Sequence, residues 1–447
     1  MKLMTAIGEA ARWCVRKSLR LYYSRIEVEG RERLPAGGAV LFVANHPNSL
    51  MDPALIGYTA QRPVHFFAKA PLFDVPVFGA LMHALGMVPA YRGQDDKASV
   101  RKNLETLDVG AQYLGLGEAV GIFPEGKTHD REGLEQVRTG AARIAWPAVR
   151  SGAGVMIVPL RLNYSRKESF RSAIWVRVGE PLDAKAWLGA RGEEERPAIR
   201  SLTEEIDRRL KQVVIHVNEE RWQPLLPELE VLLPAQGDEV RDRIAALHQR
   251  KRFADAMNHW LATDRPRAEA AAAAIEKYRD QLTTAGVTMN SPILAEGIAR
   301  ATGHLLKETI GLLLGLGPAL AGALHHLVPF AITRGIVNLV KHPGRATIAQ
   351  NRLMIGLPLY GIWYALVWWL LASLTHVWLA WLWTGLMPLC GIAALHYAWR
   401  VRHTGRAWWH ELRMLARPKE LRRLRTEQIA LRRQLEHLRE DYRAGKG

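Results

Sequence analysis

The chain predicts an α/β domain with a central mixed sheet flanked by helices over residues 28–221, followed by a helical region and a C-terminal membrane hairpin. Strand-like and helix-like runs alternate between about residues 30 and 215, as in domains whose helices pack against a sheet. Between Arg352 and Arg400 stand 47 residues without one Asp, Glu, Lys or Arg. The whole spans 447 residues, long enough for a large core and more than one unit.

Residues 1–27 lack the apolar run and small-residue cleavage site of a signal peptide. Leu3, Ile7, Cys14 and Leu21 recur at helical spacing among Arg12, Arg16, Lys17, Arg20 and Arg25. A basic helix lying in a membrane interface fits this pattern, and so does an amphipathic helix packed on its own protein. The runs AVLFVAN, HFFAK, MVPAY, AVGIFP, VMIVPLRLNY and IWVRVG read as short buried strands, rich in β-branched and aromatic residues and bounded by Gly, Pro or charge. Segments 53–61, 97–115, 138–151 and 195–221 read as helices. Residues 222–305 form a helical spacer, with AEAAAAAIEKYRDQL a strong helix former.

The membrane-associated region covers 306–400. A single helix over the uncharged run would measure about 70 Å, twice the hydrocarbon thickness, so two passes joined near Thr375-His376 are expected, within 354–398. Tyr360, Trp363, Trp378, Tyr397 and Trp399 suit membrane interfaces. Basic flanks put both ends of this hairpin in the cytoplasm, so the interrupted apolar run 310–332 is expected to re-enter or lie in the interface. The tail 401–447 is basic and helical, with Leu421, Leu424, Leu431, Leu435 and Leu438 on one stripe. The two cysteines, Cys14 and Cys390, both fall in segments expected to face the membrane, and a disulfide framework is not expected.

A net charge of +17 calls for an anionic partner: nucleic acid, anionic lipid or a phosphorylated substrate. No nucleic-acid motif with interleaved aromatics occurs in the soluble part, which leaves the other two. The stretch NHPNSLMD (45–52) places His46 and Asp52 where a strand gives way to a helix. An imidazole takes a proton from an alcohol when a carboxylate holds its other ring N–H. Six positions along one helix would point the two side chains about 120° apart, so His46 must sit on the loop, with the helix starting near Ser49 and Asn48 or Ser49 capping it. FPEG (123–126) brings a carboxylate, Glu125, to the mouth of another strand, beside Gly126. Lys69, Arg92 and Arg161 follow or end apolar strand-like runs, and strand ends are where α/β sheets bind ligands. One base, one orienting acid and several cations suit attack by a hydroxyl on a substrate that carries a phosphate.

NHPNSLMD, GMVPAYR, FPEG and IVPL, in this order and at these intervals, resemble the four motifs of the glycerolipid acyltransferase family, over about residues 28 to 220. The FPEGKTHD…VRTGAARIA wording is similar to a subgroup that carries C-terminal membrane helices. The resemblance implies transfer of a fatty acyl group from acyl-CoA or acyl carrier protein to glycerol 3-phosphate or 1-acylglycerol 3-phosphate, with no metal or cofactor beyond the acyl carrier. It implies His46 as general base, Asp52 as its partner, and Arg92 on the glycerol phosphate. Asn45, Glu125 and Gly126 would belong to the acceptor site and Pro159 to the acyl side; Lys69 joins them on position and charge alone. The family's usual motif has four residues between His and Asp; here there are five, with Pro47 widening the loop. The expected setting is the cytoplasmic face of a membrane, among phospholipids. Acylation of another lysolipid or of an amine lipid, and a non-catalytic basic tether for anionic lipid, are the alternatives.

Overall fold

The computed structural model describes all residues except 1, 75–77, 91–96, 127–135, 168, 193, 235–242, 290, 292–293, 295–297, 340–347, 416 and 445–447. The chain forms two compact units, the first built mainly from Met1–His216 and the second from the helical C-terminal half.

The first unit holds eight strands: β1 (Arg25–Glu29), β2 (Val40–Ala44), β3 (His65–Lys69), β4 (Val88–Ala90), β5 (Ala119–Ile122), β6 (Met156–Tyr164), β7 (Ala173–Val178) and β8 (Leu182–Asp183). Their order is β1-β7-β6-β2-β5-β3-β4, with β8 beside β6. The neighbours from β6 to β4 are parallel, β7 and β8 run antiparallel to β6, and β1 is parallel to β7. This is the expected mixed sheet. Parallel pairing points the carboxyl ends of β2, β3, β4, β5 and β6 to one edge, which is where the polar motifs fall.

Helices α1 (Lys2–Tyr22), α2 (Met51–Ala60), α3 (Phe78–Ala84), α4 (Lys97–Gly115), α5 (Gly140–Arg150), α6 (Ala184–Gly189) and α7 (Glu195–Val213) complete the unit. VLFVA of β2 is buried along its whole length because the sheet is covered on both faces. Leu41, Val43 and Ile157 pack there with Ile144 of α5 and Leu202 and Ile206 of α7. Gly121 of β5 lies directly under the Phe66 ring, where a Cβ could not fit. Three departures from expectation stand out. β1 begins inside the stretch expected to be helical to residue 27. The helix expected at 195–221 ends at Val213. α2 starts at Met51, two residues after the expected Ser49.

In α1 the expected apolar stripe faces outward: Ile7 and Leu21 are 43% and 62% exposed, and Cys14 is exposed. Leu19 and Tyr22, on the other side, are buried, so α1 packs on its own unit while leaving an amphipathic face uncovered.

The second unit contains α8 (Leu225–Leu232), most of α9 (Arg243–Thr263), α10 (Arg265–Ala285), α11 (Ile298–Leu339), α12 (Ile348–Leu374), α13 (Val377–Leu415) and α14 (Pro418–Ala444). Among the described residues, three stretches are long and apolar enough to cross a membrane: Leu306–Leu339, Asn351–Leu374 and Val377–Arg402. The run 310–332 lies within the first of these. It belongs to one continuous helix, with Pro318 and Pro329 inside it. Pro329 has no N–H for the His325 carbonyl four residues back, and Trp363 of α12 supplies the missing donor at 2.9 Å. That contact draws Trp363 into the helix bundle rather than to an interface. Cys390 is likewise buried in the bundle, where Gly322 and Gly391 let α11 and α13 approach closely.

α11 and α13 run antiparallel, since Arg400 pairs with Glu308 at 3.0 Å and Trp383 Nε1 donates to His325 Nδ1 at 3.3 Å. Gly356 of α12 lies against Thr333, toward the other end of α11. The two flanks of the expected hairpin, Arg352 and Arg400, thus lie toward opposite ends of α11. The start of α11 and the end of α13 lie together, and α14 packs on α10 through an Arg267–Asp441 ion pair.

Candidate active site

β2 ends in a loop that carries Asn45 and His46 to the carboxyl edge of the sheet. His46 Nδ1 lies 2.9 Å from Asp52 Oδ2, so the ring donates its Nδ1–H to the carboxylate and leaves the Nε2 lone pair free of any partner among the described residues. The pair meets because the loop, not a helix, spans the interval. Ser49 adopts φ 42° and the chain enters α2 only at Met51. The residue at the N-cap of that helix is Leu50, not Asn48 or Ser49. Asp52 instead reaches back and accepts the Asn48 backbone N–H at 2.7 Å, while the Asn48 amide donates to the Lys167 carbonyl at 2.8 Å. One carboxylate thus shapes the loop and orients the imidazole.

Asp52 is 0% exposed, and a third donor holds it: the Tyr164 hydroxyl, 2.5 Å from Oδ1. Burial, and then the Asp52 charge, raise the Tyr164 pKa well above the ordinary phenol value, so this group stays a donor. Tyr23, just after α1, is buried alongside, its hydroxyl facing the Asn48 amide at 3.4 Å and its own pKa raised by burial. The sequence flags neither tyrosine. The parallel register Ala44↔Leu160 is what brings the end of β6 beside the loop after β2, and it exists only once the strands are ordered. Tyr164→Phe would leave Oδ1 buried without its donor and is expected to lower kcat about tenfold at unchanged KM; steady-state kinetics check this, and an unchanged kcat would count against a role for the phenol.

Glu125 follows β5 in the turn Pro124–Glu125–Gly126. Expected at the mouth, it is 1% exposed and turned inward, and its Oε1 accepts the His46 backbone N–H at 3.1 Å. Its carboxylate fixes the backbone of the histidine instead of lining an open mouth. Gly126 has φ 72°, a conformation that favours glycine. The His46 ring stacks on Phe123, with centroids 4.0 Å apart and planes 8° from parallel, and Phe66 lies beyond Phe123. The imidazole is held at its ring nitrogen, its main chain and its face.

The remaining expected site residues differ in placement. The Asn45 amide is spent on β6, donating to the Leu162 carbonyl at 3.2 Å and accepting its N–H at 2.9 Å, so it joins strands instead of facing a substrate. Pro159 is buried mid-strand, its carbonyl taking the Gly179 N–H, five residues short of the end of β6. Arg161 alternates with Tyr164 and lies on the opposite face, bonded to Asn163. Lys69 is exposed at the carboxyl end of β3. Arg92 lies outside the described residues.

Residues 25–163 match the protein-family model described as Acyltransferase. The chain is similar to glycerol-3-phosphate O-acyltransferase 1 of Saccharomyces cerevisiae, 32% identical over 109 residues, 23% of this chain and 14% of that protein. It is similar to lysophosphatidylcholine acyltransferase 1 of Rattus norvegicus, 30% identical over 157 residues, 35% of this chain and 27% of that protein. It is also similar to 1-acyl-sn-glycerol-3-phosphate acyltransferase of Borreliella burgdorferi, 29% identical over 150 residues, 33% of this chain and 56% of that protein. The matches thus span from about a seventh to just over half of these relatives' own length.

Proposed function

We infer that this chain, whose residues 25–163 match the family model described as Acyltransferase, is a membrane-bound O-acyltransferase that moves a fatty acyl group from acyl-CoA or acyl carrier protein to the hydroxyl of glycerol 3-phosphate or 1-acylglycerol 3-phosphate. The observation that carries this reading is the buried Asp52 carboxylate on His46 Nδ1, which leaves Nε2 as the free base at the carboxyl edge of the sheet.

His46 Nε2 accepts the proton of the acceptor hydroxyl as its oxygen forms a bond to the thioester carbonyl carbon. Asp52 stabilises the imidazolium, and Tyr164 and the Asn48 N–H keep that carboxylate in place. The tetrahedral oxyanion collapses, the C–S bond breaks, and the departing thiolate takes the proton from His46. An ester and a free thiol result, and the histidine is neutral again. This sequence calls for no cofactor beyond the acyl carrier.

Three long apolar helices suit an enzyme whose product partitions into the bilayer. The antiparallel α11–α13 pair gathers Arg300, Lys307, Arg400, Arg402, Arg406 and Arg413 toward one end, against Arg334 and Arg352 toward the other among the described residues. Positive charge favours the cytoplasm, so the end where the chain enters the bundle is read as cytoplasmic, the side on which acyl thioesters are made.

The deciding assay uses purified full-length protein with radiolabelled oleoyl-CoA or oleoyl carrier protein, and glycerol 3-phosphate, 1-oleoylglycerol 3-phosphate, lysophosphatidylcholine and an amine lipid side by side. Transfer to one of the two phosphate monoesters is expected. Preference for lysophosphatidylcholine or the amine lipid would move the acceptor while keeping the chemistry. Transfer to none would overturn the reading in favour of a tether for anionic lipid.

A further inference from the structure

We propose that Arg138 binds the phosphate of the acceptor at the lip of the His46–Asp52 site, an inference that rests on the acyl-transfer reading. Arg138 grips the turn after β5 from two sides. Its backbone N–H donates to the Pro124 carbonyl at 2.9 Å. Its side chain lies over the same turn, where a Cβ on Gly126 would come within 3.3 Å of Arg138 Cδ and 3.5 Å of Nε and Nη1. Gly126 is thus needed for its φ of 72° and for the room it leaves the arginine. The middle residue of the turn, Glu125, accepts the His46 N–H, so the guanidinium rests one residue from a group that touches the histidine.

The charge of Arg138 has no use within the fold. Its guanidinium is exposed and makes no hydrogen bond or ion pair among the described residues. Glu125, in the turn that Arg138 holds, is directed inward onto the histidine's main chain. A guanidinium rooted at its stem, with its planar fork free, matches the oxygens of a phosphate monoester through paired charge-assisted bonds. In both proposed acceptors the phosphate stands only a few bonds from the reacting hydroxyl. The cation that seats it must therefore sit beside the base, and Arg138 is held there by the turn that also fixes His46.

The test measures initial rates of full-length protein with oleoyl-CoA and 1-oleoylglycerol 3-phosphate, for wild type, Arg138→Gln and Arg138→Lys. Arg138→Gln is expected to raise KM for the acceptor by about 10- to 100-fold, with kcat within a factor of about three and KM for oleoyl-CoA unmoved. Arg138→Lys, keeping the charge but not the fork, is expected to recover part of the loss. An unchanged acceptor KM, or a fall in kcat with both KM values intact, would overturn the proposal and leave the enzyme reading standing. Calorimetric binding of glycerol 3-phosphate to His46→Ala, with and without Arg138→Gln, separates the two: loss of binding with Arg138→Gln supports the phosphate site whatever the turnover, and equal binding sinks it.

Discussion

His46→Ala is expected to abolish acyl transfer, lowering kcat by about 10³-fold or more, the upper part of what a positioned general base contributes. The size follows from how completely the imidazole is committed. Its Nδ1 is held by Asp52, its main-chain N–H by Glu125 and its face by Phe123, which leaves Nε2 as the ring nitrogen without a partner among the described residues. The loop keeps its shape without the ring, because Asp52 also accepts the Asn48 N–H and the Tyr164 hydroxyl. Only 16% of the histidine side chain is exposed, so alanine removes some packing against Phe123. Thermal unfolding followed by circular dichroism should shift by only a few degrees for a loss of about 1 kcal/mol. Sedimentation with membranes should not change, since α11, α12 and α13 do not depend on this ring. Turnover near the wild-type rate would remove the base from the mechanism.

How much of this was legible beforehand depended on whether a signal was local. VLFVA, AVGI and MIVPLRLNY announce buried strands because two-sided burial demands continuous apolar runs. β1 was hidden because RIEVE carries three charges and follows a helix, and only its pairing with β7 makes it a strand. His46 and Asp52 stood out as residue types at a strand end, but the direction of Glu125 did not. A glutamate after a strand is ordinarily solvated, and only the parallel β2–β5 pairing gives it a backbone N–H to bind. Tyr164, Tyr23 and Arg138 depend on register or on a turn folded against a distant segment, and no spacing along the chain encodes that. In the membrane region, counting uncharged residues located the apolar helices without assigning their neighbours. Trp363 looked like an interfacial anchor, yet its partner is the carbonyl that Pro329 strips of its donor, on another helix.

Asp52→Asn isolates the carboxylate charge more cleanly here than in most His-acid pairs. Asp52 Oδ2 faces two donors, His46 Nδ1–H and the Asn48 N–H, whereas Oδ1 faces the Tyr164 hydroxyl. An asparagine must put its NH2 at one of these two places. Toward Asn48 it would set two donors against each other in a buried site, since a backbone N–H cannot turn round. Toward Tyr164 the phenol rotates and accepts instead. The amide should therefore settle with its oxygen on His46 and Asn48, and the imidazole keeps its working tautomer. Serine hydrolases, in which the same change inverts the tautomer, lose about 10⁴-fold in kcat. Here about 10²- to 10³-fold is expected, the part due to an imidazolium that forms without its counter-charge. Tyr164→Phe added to Asp52→Asn should then cost little more, because the phenol acts through the charge already removed. Steady-state kinetics of the two single variants and the double variant decide it. Full additivity would show that Tyr164 works by some route other than Asp52, and an Asp52→Asn protein at near wild-type rate would show that His46 needs no counter-charge at all.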